Sequence, residues 1–407
     1  MPGPLSDVRI LDLTWVLSGP YCTMTLGDLG ADVIKCERPP FGDNARATGP
    51  VIDGESGYFF SVNRGKRSIS IDLKSEQGKV LFLRLVHEVD VIVENFTPGA
   101  MDRLGLGYEL LAAENPRLIY CAVSGFGRTG PLKDRPALDV IVQGMGGIMS
   151  ITGEPVGGPI RVGTSIGDIA AGLYATIGIL SAVHEREQSG LGQLVDISML
   201  DCQIAIQENA FMRYHITGET PQRLGTRHPT AVPFQAFTTS DGHLVLALAW
   251  EVPNQWALLC AELGIIELAD DPRFDTGQGR GEHYAELEPL MAAAFLKDTT
   301  ESWVERILPF GIPCGPLNTV PQAAALPQIE AREMLVPVEH HTLGTVLLPN
   351  TPVKLSRTPG GIHGSSPDMG EHTREVLKEL LGFDDADVDA LLASDVVRDK
   401  RAPVELG

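Results

Sequence analysis

Short apolar runs alternate with amphipathic ones through the first two hundred residues. Residues 8–14 (VRILDLT) read as a strand, and 19–30 (GPYCTMTLGDLG) as a helix stopped by glycine. A second strand, 31–37 (ADVIKCE), ends on Glu37, with Arg38 next. Residues 66–74 (KRSISIDLK) alternate polar and apolar, which predicts an exposed edge segment. Ser75 caps an amphipathic helix over 75–89, followed by the strand DVIVEN, the helix YELLAAEN and the strand RLIYCAVS. A further strand, QLVDISM, follows the turn SGLGQ. Repeated βα order predicts an α/β fold with a mostly parallel sheet and helices on its faces.

The pattern changes after Gly218. The strand pair 233–249 turns at Asp241-Gly242, a hairpin signal, and three helical segments follow: NQWALLCAELG, YAELEPLMAAAFL and ESWVERIL. Further on, LGTVLLP and VKLS read as short strands and EHTREVLKELLG as a late helix. The expected division is a large domain over 1–215, a small α+β domain over 222–325, and a segment, 330–407, returning to the large domain. A length of 407 residues agrees with more than one core.

A formal charge of −21 argues against nucleic-acid and anionic-membrane partners, but leaves room for a nucleotide-bearing ligand held by a few cations. The six cysteines show no CxxC and no paired Cys/His spacing, which predicts reduced thiols, a cytoplasmic protein and no metal site. No basic stretch precedes an apolar one at the start, and the uncharged run after Asp168 reads as too short for a bilayer. GFGRTG (125–130) satisfies GxGxxG, but Pro131 and Pro136 follow where a phosphate-binding helix would open. His340-His341 reads as part of a solvated polar turn.

Asp168 stands at the head of GDIAAGLYATIGILSAV, which predicts a buried helix with one carboxylate at its positive end. Two roles suit it there: an N-cap accepting backbone N–H bonds, or an ionised nucleophile in apolar surroundings. Arg38, Lys74 and Arg103, with Asn95-Phe96 between them, suit a ligand bearing phosphates and an adenine ring.

Together LDLTWVLSGPYCTMTLGDLGADVIKCERP, NRGKRSISIDLK, VENFTPGAMDRLGL, SGFGRTGP, the GD-AAGLYA helix and GTRHPTAVPFQAFTTSDG resemble the class III CoA-transferase family, which includes α-methylacyl-CoA racemases. The resemblance covers nearly the whole chain. It implies a Rossmann-like large domain built from both chain ends, a small inserted domain, and an interlocked homodimer. Coenzyme A or acyl-CoA would be substrate, with no tightly bound cofactor. The family's aspartate nucleophile falls on Asp168. Its CoA contacts fall on Val16, Leu17 and Ser18, on Arg38, Ile71, Lys74, Asn95, Phe96, Arg103 and Met199, and on Arg135 and Leu138.

Two departures narrow the chemistry. Where the racemases carry a histidine this chain has Leu138, which moves no proton. Where oxalate/formate members carry a first-loop glutamine and a glycine-rich small-domain stretch, it has Leu17 and 223–229 (RLGTRHP), which puts formyl and oxalyl substrates in doubt. The expected activity is CoA transfer from an acyl-CoA, with succinyl-CoA the favoured donor, to a short carboxylic or dicarboxylic acid. Arg46, Arg227 and His228 are available for a distal carboxylate. A racemase and a non-catalytic CoA-binding protein are the alternatives.

Overall fold

The computed structural model describes residues 3–248 and 254–400 and divides into two compact units. The larger comprises 1–148, 161–215 and 330–407; the smaller, 149–160 and 216–329. The expected boundaries put 149–160 in the large domain. Here Gly225 N donates to Gly153 O at 2.9 Å, and the Arg223 guanidinium holds Glu154 O and Gly157 O at 3.1 and 2.7 Å, which ties that segment to the smaller unit.

The large sheet contains β1 (Arg9–Asp12), β2 (Asp32–Glu37), β3 (Arg67–Ile71), β4 (Val91–Glu94), β5 (Ile119–Ser124) and β6 (Leu194–Ser198), which pair with one another in parallel. The smaller unit holds the antiparallel strands β7 (Phe234–Thr238), β8 (His243–Ala247) and β9 (Cys314–Pro316), and its hairpin turns at Asp241-Gly242 as expected, though Ala249 of the anticipated pair lies outside the described residues. Two strands then form a separate hairpin, β10 (Leu335–His340) and β11 (Gly344–Pro349). VKLS is not a strand: β11 takes its partner from the other side, and the chain after Pro349 is irregular. Finally β12 (Val397–Arg398) joins the large sheet, whose order is β12-β3-β2-β1-β4-β5-β6.

That last strand explains a second difference. Residues 67–71 are not an exposed edge; β12 pairs antiparallel with β3, whose last four residues are buried. The alternation in KRSISIDLK separates two buried environments.

Successive side chains along the strands face opposite layers. Leu11, Ile34, Ile69, Ile92 and Tyr120 pack on one side, under the helix Glu76–Val86 and the late helix Thr373–Leu381. Ile10, Val33, Val91, Ile119 and Cys121 pack on the other, with α1 (Ser18–Asp28), α2 (Asp139–Met145) and α3 (Ile166–Ser189) contributing Cys22, Leu26, Val142 and Ala171. Strands buried on both faces are why their sequences read as near-continuous apolar runs.

α3 is not the uniformly buried helix the sequence predicts. Gly167, Ala170, Ala171, Ala175 and Ile179 are buried, while Leu173, Tyr174 and Ile177 stand exposed. At 24 residues it is also longer than its uncharged run, and long and apolar enough to cross a bilayer by length and composition alone. Its small-residue face lies in the core beside the sheet.

Candidate functional site

In the large sheet β1 runs between β2 and β4, so the chain order reverses there. The loops leaving β1 and β4 diverge at that point, which opens a crevice at the carboxyl ends of the strands. A cleft of about 530 Å³ occupies this place, lined by Trp15, Arg38, Phe41, Ile71, Lys74 and Phe96 among others. Trp15 meets Phe96 edge to face with centroids 5.2 Å apart, and the Arg38 guanidinium lies 5.4 Å from the Trp15 ring. Aromatic walls with two cations at the rim suit a flat base with attached phosphates.

Asp168 is the third residue of α3, not its cap: Ser165 holds that place and makes no side-chain capping bond. The capping reading therefore fails. Nor is the carboxylate firmly ionised by the helix end. Burial and the neighbouring Asp139 push it up to about 7, against a hydrogen bond from Ser18 that favours the charged form. Asp139, the first residue of α2, accepts from Gly167 N at 2.8 Å and from Gln143 Nε2 at 2.7 Å. It thus takes a first-turn N–H immediately before Asp168. The Tyr58 hydroxyl is pushed up to about 12 by burial and by Asp168, Asp43 and Asp139, so it stays a donor beside these acids.

Two glycines make this approach possible. A Cβ at Gly167 would lie 2.9 Å from Asp139 Oδ1 and 2.7 Å from a Val142 methyl. One at Gly172 would lie 2.7 Å from Ser18 O and 3.2 Å from the Tyr21 ring. The first lets α3 begin against Asp139; the second lets it cross α1 where Ser18 stands.

Beneath the β1 loop lies a buried charge network. Lys66 Nζ reaches Asp12 Oδ2 at 2.9 Å, and Lys35 Nζ reaches Asp43 Oδ2 at 2.9 Å and Thr14 O at 2.7 Å. Arg46 closes a two-pronged pair on Glu37, at 2.8 and 2.7 Å, and covers the Phe59 ring. That engagement, with a further bond from Arg46 to Pro367 O at 3.0 Å, takes the donors a distal carboxylate would need, so Arg46 is not an open anchor.

The remaining candidates fall in several places. Arg38, Ile71, Lys74 and Phe96 line the cleft, and Val16, Leu17 and Ser18 form the loop and first turn beside it. The Asn95 amide is used by that loop: Oδ1 accepts from Trp15 N at 2.9 Å, while Nδ2 donates to Trp15 O at 2.8 Å and Ser18 Oγ at 3.2 Å. Arg103 is exposed and donates to Pro98 O, Arg135 lies 5.8 Å from the Phe126 ring, and Leu138 stands 72% exposed at the start of α2. Met199 is buried in the core, so its side chain offers no open face.

Arg227 and His228 belong to the smaller unit, where they line a cleft of about 770 Å³ with Phe234, Arg280 and Glu282. His228 Nδ1 accepts from Thr230 N and Ala231 N at 3.3 and 3.1 Å, and its ring stacks on Phe234. The neutral ring therefore carries its proton on Nε2, as a donor. Arg227 lies 4.1 Å from the Tyr284 ring.

One metal-type cluster occurs among the described residues, Glu55, His341 and Asp368, with ligand atoms within 4.8 Å of one another. Lys400 already pairs with Asp368 there. His340 is not solvated: it is buried, and its Nδ1 accepts from Thr342 N and Leu343 N, building the turn between β10 and β11.

The sequence model of CoA-transferase family III matches residues 5–373. The chain belongs to that family. It is 42% identical over 385 residues to the succinate–glutarate CoA-transferase of Agrobacterium fabrum, covering 93% of this chain and 96% of that one. It is 44% identical over 355 residues to the acetyl-CoA:oxalate CoA-transferase of Acetobacter aceti, covering 87% and 90%. The crystal structure of a CAIB/BAIF family protein from Brucella suis superposes with a TM-score of 0.84 at 39% identity, covering 93% of this chain and all of that one.

Within this family III site, three residues escaped the sequence reading. Trp15 was visible as an aromatic directly after a strand and loop start. Tyr58 sits in an unremarkable GYFF helix turn, and nothing local flags it. Asp139 follows Leu138 directly, but its importance depends on Gly167, 28 residues away, which no local pattern reveals.

Proposed function

We propose that this chain transfers CoA from succinyl-CoA to a short dicarboxylic acid, with Asp168 as nucleophile. The observation that carries the reading is the setting of Asp168: a carboxyl raised to about 7 in the first turn of α3, a helix that packs at Gly172 against Ser18, the first residue of the helix following β1. A carboxylate nucleophile of raised basicity, ionised in the attacking state, suits thioester cleavage.

The Asp168 carboxylate attacks the succinyl thioester carbonyl, forming a mixed anhydride and releasing CoA thiolate. The thiolate attacks the aspartyl carbonyl, giving an aspartyl-CoA thioester and free succinate. The acceptor carboxylate attacks that thioester, giving a second anhydride and thiolate. Thiolate attack on the acceptor carbonyl then yields the new acyl-CoA and restores Asp168. A serine ester would lose the activation that the anhydride keeps.

The donor and acceptor classes are supported by relatives such as the succinate–glutarate enzyme. Within the smaller unit, Arg227 and the Nε2–H of His228 offer a cation and a donor that suit a carboxylate. CoA is assigned to the Trp15–Phe96 cleft as a substrate, with no tightly bound cofactor. The homodimer, interlocked as the family resemblance implies, is supported by the apolar face of Leu138, Ile141, Leu173, Tyr174 and Ile177 left open on one chain. Light scattering that gave a monomer would remove it. Six unpaired cysteines support a reducing cytoplasm.

Asp168→Ala tests the central claim. Transfer from succinyl-CoA is expected to fall more than about a thousandfold, roughly 4 kcal/mol of barrier, with CoA binding retained. Hydroxylamine trapping in the wild type is expected to leave a hydroxamate on Asp168. Retained turnover, or no hydroxamate, would overturn the assignment. Solvent deuterium entering Cα of a 2-methylacyl-CoA without any acceptor acid would favour the racemase.

A further inference from the structure

The loop between β1 and α1 contains a residue in an unfavourable conformation. Val16 has φ +64°, in the left-handed region that β-branched residues rarely occupy. Neither neighbouring element supplies a local reason. α1 begins at Ser18 with no side-chain cap, and the residue before it, Leu17, has φ −137° and ψ −60°. The conformation is held from outside. Val16 N donates to Asp43 Oδ1 at 3.0 Å, and the same oxygen accepts from Ala45 N at 2.8 Å. The second oxygen, Oδ2, meets the fully buried Lys35 ammonium at 2.9 Å. Lys35 also donates to Thr14 O, so one cation braces the loop from both ends of its turn.

Two residues after this strained turn stands Ser18, against which the helix of Asp168 packs. Ser18 is 4% exposed and receives Asn95 Nδ2, and a Cβ at Gly172, one turn on from Asp168, would lie 2.7 Å from Ser18 O; the Ser18 hydroxyl favours the charged form of Asp168. Asn95 fixes Trp15 on one side of Val16. Asp43 fixes Val16 itself. Ser18 can reach Asp168 in this way only while the chain turns at residue 16 as it does.

We propose that Asp43, fixed by Lys35, is a positioning residue for the transfer: its carboxylate oxygen holds Val16 in the left-handed conformation that presents Ser18 to Asp168. This rests on Asp168 being the nucleophile. The two charges serve to orient one acceptor oxygen. A neutral acceptor of the same shape is therefore enough, provided the cation is removed with the anion so that neither is left buried alone.

The test compares two double variants, Lys35→Met/Asp43→Asn and Lys35→Met/Asp43→Leu. Asparagine keeps an acceptor for Val16 N–H; leucine fills the space without one. The asparagine pair is expected to keep most of wild-type kcat. The leucine pair is expected to lose roughly a hundredfold in kcat, the scale of a small misplacement at a reacting centre, with KM for succinyl-CoA little changed. Adding Val16→Gly to the leucine pair is expected to restore much of the lost rate, because glycine adopts this φ without a clamp. Because glycine at this φ also stabilises the fold, kcat is measured well below each variant's melting temperature, where a loss of stability alone leaves the rate unchanged. Equal kcat in the two pairs, or no rescue by glycine, overturns the proposal. Should the leucine pair fail to fold, Lys35→Met/Asp43→Ala, which removes the acceptor with less crowding, takes its place with the same expected loss of kcat, and equal kcat in that pair and the asparagine pair overturns the proposal. Activity retained by Asp168→Ala would instead show that the nucleophile assignment had failed, independently of any result at Asp43.

Discussion

The interiors of the two units are built to different ends. In the smaller unit Phe237, Trp256, Phe274, Phe295 and Trp303 form an apolar core, and Arg280 is the buried charge among its described residues, its guanidinium donating to Val232 O and Phe274 O. In the larger unit Asp12, Lys35, Glu37, Asp43, Lys66 and Glu94 are all buried, on β1, β2 and β4 and in the segments after β2 and before β3. Burying and pairing ions adds little net stability compared with apolar packing. What it gives is direction: each charge fixes a loop atom or another charge near the cleft. The larger unit adds to its two apolar layers a charged interior that supplies geometry, where the smaller unit's core supplies stability.

The largest expected effect breaks the apolar side of this contrast. Phe295 is fully buried, stacked on Phe237 at 4.6 Å and edge-on to Trp303. Phe295→Ala is expected to cost about 3–5 kcal/mol of stability, read by denaturant unfolding. A loss under 1 kcal/mol would mean that this core is not the close-packed one described.

Asp168→Asn is expected to act in the opposite sense. The folded carboxyl sits at about 7, while an unfolded one titrates near 3.8. The folded state holds the proton more tightly, so stability falls as pH rises from about 4 to about 7 and stays reduced above. Asparagine has no charge to bury, so the variant should be more stable than wild type at pH 8 and no more stable at pH 3. About 4 kcal/mol is an upper bound for three pH units at 1.36 kcal/mol each, and solvent reaching the carboxyl lowers the observed gain. No gain at pH 8 would remove the claim that Asp168 is strained for function.

Much of this division is legible from the chain itself. The parallel sheet follows from βα alternation, and the sequence offers Arg38, Lys74 and Phe96 as ligand contacts, which the cleft holds together with Trp15. Motif resemblance names Asp168 as nucleophile and Ser18 as a CoA contact without bringing the two together. What the sequence hid are the contacts of high separation. Asp139 matters through Gly167, Asp43 through Val16, and β3 is buried because β12 returns from the far end of the chain. Short-range periodicity reports which face of an element is apolar, and it is silent about which remote group covers that face. The same limit explains α3: its pattern of small residues promised burial, yet Leu173 and Ile177 have no cover within one chain.

The finest test of the contrast concerns Asp139. It is not in the reacting pair, but its negative charge, second to burial, is what holds the Asp168 carboxyl up. The attacking form of Asp168 is the carboxylate, so kcat/KM for succinyl-CoA should rise with pH and level off above about 7, provided no other group limits the rate. Asp139→Asn keeps Oδ1 as the acceptor for Gly167 N–H and removes the like charge, which lowers the Asp168 value. The rising limb is therefore expected to move toward lower pH. The new amide faces the Gln143 amide where a carboxylate stood, which costs part of one hydrogen bond and predicts a small fall in melting temperature. At pH 8 the variant is expected to be somewhat slower than wild type, because a less basic carboxylate is a weaker nucleophile. A limb that stays in place would mean that burial alone sets the Asp168 titration, and a limb displaced upward would mean that Asp139 stabilises the carboxylate through its hydrogen bonds more than it repels it.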